Sequence, residues 1–100
     1  MRFDQKVWAL LKHIPKGRVT TYKILARRLN SPLGYRAVGN ACHRNPNPIT
    51  VPCHRVICND GSLGGFAGGL KKKKLLLQKE GILIRNNIIC NLEKVLYGFR

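Results

Sequence analysis

The chain has 100 residues, is 44% hydrophobic, and carries 19 Lys+Arg against 4 Asp+Glu, for a formal net charge of +15. That supplies one compact core, which excludes a multidomain enzyme, and no apolar run is long enough for a membrane-spanning helix. The opening residues Met1-Arg2-Phe3-Asp4-Gln5-Lys6 hold no stretch of signal-peptide length, so a cytoplasmic location and reduced thiols at the 4 cysteines are expected.

In chain order, Phe3, Val7, Leu10, Leu11 and Ile14 form a helical stripe over Phe3–Ile14. Pro15-Lys16-Gly17 stops it and turns the chain. The spacing predicts a second helix over Thr21–Leu29, capped by Thr20 or Thr21, with Ile24, Leu25 and Leu29 inward. A third starts at Ser31-Pro32 and runs to about Arg44. Asn45-Pro46-Asn47-Pro48 reads as a tight loop, and Ile49-Thr50-Val51 as an extended segment leading to Pro52-Cys53-His54-Arg55-Val56-Ile57. A turn follows at Asn59-Asp60-Gly61, then a glycine-rich loop over Gly64–Gly69. A fourth helix, Leu70–Glu80, ends at Gly81; Ile82–Ile89 suits a hairpin around Asn86-Asn87, and Leu92, Val95, Leu96 and Tyr97 suit a short closing helix. These elements make a mainly α fold: one small helical domain over residues 1–100 with a winged-helix-like helix-turn-helix and a short β segment.

Helices two and three have helix-turn-helix spacing. At about 100° per residue, Tyr35, Val38 and Cys42 fall on the inner side of helix three, and Arg36, Ala37, Asn40 and Arg44 on the outer side. The inner set makes Cys42 a packing residue. The outer set joins guanidinium groups to small side chains, which lets a helix approach a groove; an ordinary solvated basic face is the alternative. The overall charge favours nucleic acid as partner, since basic surfaces bind phosphates by releasing counterions, over an anionic membrane or mere solubility. Lys71-Lys72-Lys73-Lys74 sweeps around the start of helix four, so these lysines are expected to be mainly solvated.

Pro52-Cys53-His54-Arg55-Val56 carries the chemistry. A thiol is nucleophilic as thiolate, which a neighbouring base or cation favours. His54 and Arg55 follow Cys53 directly, but His54 reaches it only through a turn or a bridging water. Of the 4 acids, Glu80 shares a helix face with Leu76 and Leu77, and a partly buried carboxylate needs a partner that His54 could supply. Zinc is a competing reading: Cys42, His43, Cys53, His54 and Cys58 are five potential ligands within seventeen positions, but without a C-x-x-C pair. Cys58 and Cys90 sit beside apolar residues and read as structural. No Gly-Lys-Ser/Thr follows the glycines at 64, 65, 68 and 69, so they fit a loop closing over a flat ligand better than a phosphate loop.

Gly17-Arg18-Val19-Thr20-Thr21-Tyr22, Arg36-Ala37-Val38-Gly39-Asn40-Ala41, Asn45-Pro46, the segment Ile49–Val56, Gly68-Gly69-Leu70 and Glu80-Gly81 occur in an order and spacing that resembles the active-site domain of the O6-alkylguanine-DNA alkyltransferases, the methylated-DNA–protein-cysteine methyltransferases. The resemblance covers residues 17–81, roughly two-thirds of the chain. It implies a single-turnover S-methyltransferase of direct-reversal DNA repair, with Cys53 accepting an alkyl group from O6 of an extruded guanine. His54, through a water, and Glu80 would keep Cys53 ionised, and Tyr22 would protonate the departing guanine and push aside the adjacent phosphate. Arg36 would fill the vacated base stack, with Tyr22, Lys23, Ala37 and Asn40 also on DNA. Asn45 would tie the helix-turn-helix to the active-site turn, and the backbone of Cys53 and Val56 with the Phe66-Ala67 loop would line the pocket.

The implied partner is double-stranded DNA containing O6-alkylguanine, bound by a monomer without cofactor, metal or membrane. Two departures stand out: the family's usual additional N-terminal domain is expected to be missing, and Phe66-Ala67 stands where many members have Tyr-Ser. An alkyltransferase-like protein that flips the lesion without transfer is the alternative, and a plain helix-turn-helix regulator a third.

Overall fold

Three apolar side chains, Val7, Leu11 and Ile14, each at most 1% exposed, anchor the first segment of the computed structural model, which describes residues 2–30, 34–66 and 68–99. Helix α1 (Phe3–Leu11) starts at Arg2, whose backbone N–H donates to Gln5 Oε1. It ends before the expected Ile14, because Pro15 disfavours helical geometry in the residue preceding it; tighter bonds from His13 to Leu10 and from Ile14 to Leu11 close the end.

Strand β1 (Thr20–Thr21) pairs in parallel with β2 (Val56–Ile57), Thr20 opposite Val56. Helix α2 (Tyr22–Arg28) follows at once, its N-cap the Thr21 hydroxyl, which accepts from the Ile24 N–H at 3.1 Å. Leu25 and Ala26 are buried, while Ile24 and Leu29 are half-buried. The expected Ser31-Pro32 start of the next helix lies outside the described residues; α3 spans Gly34–His43. It packs on α1 and α2 through Val38, Ala41 and Cys42, and the Trp8 indole N–H donates to the Ala41 carbonyl at 2.8 Å.

Two expectations for α3 are corrected. Tyr35 is 60% exposed rather than inward, because its stripe leaves the core at the first turn and runs out over a surface cavity. Arg44 is not part of an open outer face: its Nε and Nη2 donate to Asp4 at 2.7 and 2.9 Å, joining the end of α3 to α1.

Residues 45–48 form the expected loop. Asn45 Nδ2 donates to the Val51 carbonyl at 2.7 Å, and Asn45 Oδ1 accepts from the Asn47 N–H at 3.0 Å. Ile49-Thr50-Val51 is therefore no extended segment: the loop doubles back, with Ile49 at φ 79° and the Val51 N–H on the Asn47 carbonyl. Helix α4 is Leu70–Lys79, and β3 (Ile84–Arg85) pairs antiparallel with β4 (Ile88–Ile89). The Asn86-Asn87 turn between them has φ 53° and 61°, the left-handed geometry a two-residue hairpin needs. The closing helix α5 is only Leu92–Val95; beyond it the chain straightens, with Leu96 bridging to Val19 and the Tyr97 N–H on the Val19 carbonyl at 2.7 Å.

Two apolar clusters result. One lies among α1, α2 and α3; the other joins Val19, Ile57 and Leu63 to Leu77 of α4, Ile82 and Ile89. The β1–β2 ladder runs along their seam, with Val56 in the first and Ile57 in the second. Among the described residues, no helix is long and apolar enough to cross a membrane.

Candidate active site

Pro52 leads into a single 3-10 turn, Cys53–Arg55, that hands the chain to β2. The turn sets Cys53, 4% exposed, in the wall of a cavity of about 330 Å³. Tyr22 from α2, Arg36 and Gly39 from α3, and the Gly64–Phe66 loop form other parts of that wall. The loop lies close because Gly64, at φ +70°, has no side chain; a Cβ there would come within 3.0 Å of Cys58 Sγ.

The same turn contributes two side chains to a buried polar cluster. His54 is fully buried, its Nε2 3.1 Å from Glu80 Oε2. Arg55 grips the same carboxylate with Nε at 2.9 Å and Nη2 at 2.6 Å, while its Nη1 donates to the Ile14 carbonyl at 2.8 Å. Burial pushes the Glu80 carboxyl upward, but the hydrogen bonds from Arg55 and then His54 outweigh it and hold the group below its ordinary range. Burial draws His54 below the ordinary imidazole value despite the opposing pull of Glu80. A neutral imidazole facing an ionised carboxylate must carry its proton on Nε2. Its lone pair is then on Nδ1, a buried atom without a hydrogen-bond partner among the described residues. The ring can accept one more proton there, and Glu80 stabilises the cation formed.

Lys73, expected to be solvated, is fully buried and is the correction with most bearing on the site. Its Nζ donates to the carbonyls of Val56 at 2.6 Å and Gly65 at 3.1 Å, and lies 5.8 Å from the Tyr22 ring centroid. Burial lowers its pKa to about 8, so the ammonium persists at neutral pH beside the cavity wall. Burial raises the Tyr22 phenol far above its ordinary value, with negative charge on Cys42, Cys58 or Cys53 adding to the effect; the hydroxyl remains a proton donor. Cys42 lines the same cavity, and burial pushes its thiol up to about 12.

The cavity thus brings together Cys53, Tyr22, Arg36 and Phe66, while His54 and Glu80 pair with each other outside its lining. Val56, expected in the pocket, does not line it. Val56 is fully buried with its N–H on the Cys53 carbonyl and its own carbonyl on Lys73, and Asn45, just beyond α3, holds the Val51 carbonyl two residues before Cys53. Ala67 lies outside the described residues. Asn40 and Lys23 are exposed and Ala37 half-exposed, near the cavity but not in its wall. Sequence reasoning missed Lys73, Tyr35 and the anchoring of Glu80 by Arg55. Lys73 had a signal: it stands four residues before Leu77, on the stripe of α4 that faces the core. Among the described residues, no group of three or more His, Cys, Asp or Glu side chains could hold a metal ion.

Comparison with known proteins bears on this arrangement. A family model described as the DNA-binding domain of 6-O-methylguanine DNA methyltransferase matches residues 2–82. The methylated-DNA–protein-cysteine methyltransferase of Haemophilus influenzae is 48% identical over 80 residues, 80% of this chain and 45% of that protein. Mycobacterium tuberculosis OGT in complex with DNA superposes with a TM-score of 0.76 at 44% identity, over 80% of this chain and 50% of that one. Schizosaccharomyces pombe Atl1, bound to DNA containing O6-carboxymethylguanine, superposes with a TM-score of 0.82 at 33% identity, over 97% of this chain and 98% of that one. The chain spans about half the length, or less, of the curated methyltransferases it matches.

Proposed function

The chain belongs to the 6-O-methylguanine DNA methyltransferase family through its DNA-binding domain, and from that membership we propose that it repairs alkylated DNA by moving an alkyl group from O6 of guanine to Cys53. The observation that carries this reading is the position of Cys53, in the wall of a cavity and on the same 3-10 turn as the His54 and Arg55 that hold Glu80. His54 Nδ1 takes the thiol proton, directly or through a water, and Glu80 steadies the imidazolium. The Cys53 sulfur then attacks the alkyl carbon, an S–C bond forms, and the C–O6 bond breaks with its electrons passing to guanine. Tyr22 supplies the proton the departing base takes up, and the proton held on His54 makes good the one Tyr22 has given, by way of solvent, so both side chains return to their starting state. The Lys73 ammonium favours negative charge on this side of the cavity. Thiol and alkylguanine become thioether and guanine, and because a thioether does not hydrolyse readily, each molecule acts once.

A guanine inside a duplex must be extruded first, at a cost of a few kcal/mol. Arg36 enters the stack in its place, while Lys23, Ala37, Asn40 and the general positive charge hold the duplex. Asn45 keeps the helix-turn-helix and the Cys53 turn in register, and the Phe66-Ala67 loop closes on the base. The substrate is O6-alkylguanine in double-stranded DNA, met by a monomer.

Intact-mass spectrometry after incubation with a duplex containing O6-methylguanine tests this. A gain of one methylene, absent in Cys53→Ala, is the expected result. The correspondence with Atl1, whose structure holds DNA containing O6-carboxymethylguanine, favours one second reading, binding of the lesion as the whole activity. Tight, lesion-selective binding with unchanged mass selects it.

A further inference from the structure

Among the described residues, the packing of α3 gives Tyr35 no reason to be aromatic. It is 60% exposed on the first turn of α3, and the core contacts of that helix are made by Val38, Ala41 and Cys42. Its ring nonetheless lines the same cavity as Cys53, and it also lines the two neighbouring depressions that run outward past Lys23. It therefore stands where the Cys53 cavity opens onto the protein surface, one residue before Arg36. A large apolar ring held in water at the mouth of a cavity gains most from a flat ligand that covers it. Aromatic faces stack on any nucleobase, and an extruded purine has lost both of its stacking neighbours.

Resting on the reading above, we infer that Tyr35 is a positioning residue: its ring forms the lip of the nucleotide cavity and stacks on the extruded purine as it enters. Arg36 and Tyr35 then divide the work of base extrusion, the guanidinium filling the gap in the duplex and the phenol ring holding the base that left it. The contact needs the aromatic face and not the hydroxyl. It also belongs to the base and not to the phosphate backbone, so it persists with an isolated O6-alkylguanine base.

The test measures two affinities in a Cys53→Ala background, so that transfer plays no part: one for a duplex containing O6-methylguanine, one for free O6-benzylguanine. Tyr35→Ala is expected to weaken both by roughly 5- to 100-fold, the worth of one base–aromatic stack, with affinity for undamaged duplex unchanged. Tyr35→Phe is expected to retain both. Unchanged affinities in Tyr35→Ala overturn the inference, as does a Tyr35→Phe loss equal to that of Tyr35→Ala. A loss shared equally by damaged and undamaged duplex, with free base unaffected, also overturns it and makes Tyr35 a backbone contact. Absence of lesion preference with Tyr35 intact instead marks failure of the repair reading itself, visible before any Tyr35 variant is compared.

Discussion

The turn at Cys53–Arg55 and the outer face of α3 border the same cavity but are held in opposite ways. The polar side chains of the turn are tied to distant parts of the chain: His54 and Arg55 to Glu80, Arg55 also to Ile14, while the Val56 carbonyl that follows is held by Lys73. On α3, an apolar stripe on one side fixes the helix, Arg36 and Asn40 on the other stand exposed, and Tyr35 stands exposed where the stripe runs past the end of the core. Chemistry needs donors and acceptors that do not move, whereas a DNA-facing surface needs side chains still available to be ordered by the partner. Substitutions in the turn should therefore disturb fold and reaction together, and substitutions at the exposed residues of α3 should disturb the handling of DNA or base with the fold left intact.

Arg55→Ala should break that contrast most severely, since it strips Glu80 of its charge partner in a mostly buried setting. A stability loss of about 3 kcal/mol is expected in urea unfolding, with alkyl transfer lost as well. Lys73→Ala comes next, leaving the Val56 and Gly65 carbonyls without a donor and a void under the cavity wall. A loss of about 2–3 kcal/mol is expected, together with slower transfer to O6-benzylguanine. Arg36→Ala marks the other side of the comparison. Melting should stay unchanged, repair of duplex DNA should fall by roughly 10-fold or more as the unstacking penalty goes unopposed, and reaction with free O6-benzylguanine should persist.

Acid should separate the two regions as well. Glu80 and His54 are both held below their ordinary values, so at intermediate pH the unfolded chain binds more protons than the folded one, and stability falls as pH falls. The contribution is whole above the unfolded values, about 6.5 for His and about 4.3 for Glu, and is lost as pH drops through the depressed folded ones. A melting series from neutral to acidic pH should show this loss, with the carboxylate part absent in Glu80→Gln. That variant should also shift the pH profile of alkylation upward; an unchanged profile excludes Glu80 from the relay. The smallest effect belongs to Arg44→Ala: its ion pair with Asp4 is exposed, so neither melting nor repair should change measurably.

Much of this was legible from residue order. Thr21 as a cap, Asn86-Asn87 as a hairpin turn, and the stripes of α1 and α2 follow from local preferences that tertiary contacts did not override. The pairing of His54 with Glu80 was legible because so few acids were available. Tyr35 was not: its spacing matches Val38 and Cys42, but periodicity gives only the side of the helix and not where along it the core ends. Ile49–Val51 misled for a related reason, since β-branched residues favour extension until a side chain such as Asn45 binds both ends of the loop.

Local chemistry alone settled the helices, their caps, the hairpin turn and the charge of the surface, because each depends on neighbours a few residues away. Only the folded chain decided which of four adjacent lysines would be buried, which cation would hold Glu80, and which ring would stand at the mouth of the cavity. Those outcomes depend on desolvation and on donors meeting acceptors across 17, 25 or more positions, and such encounters exist only once α4 has been laid against the Cys53 turn.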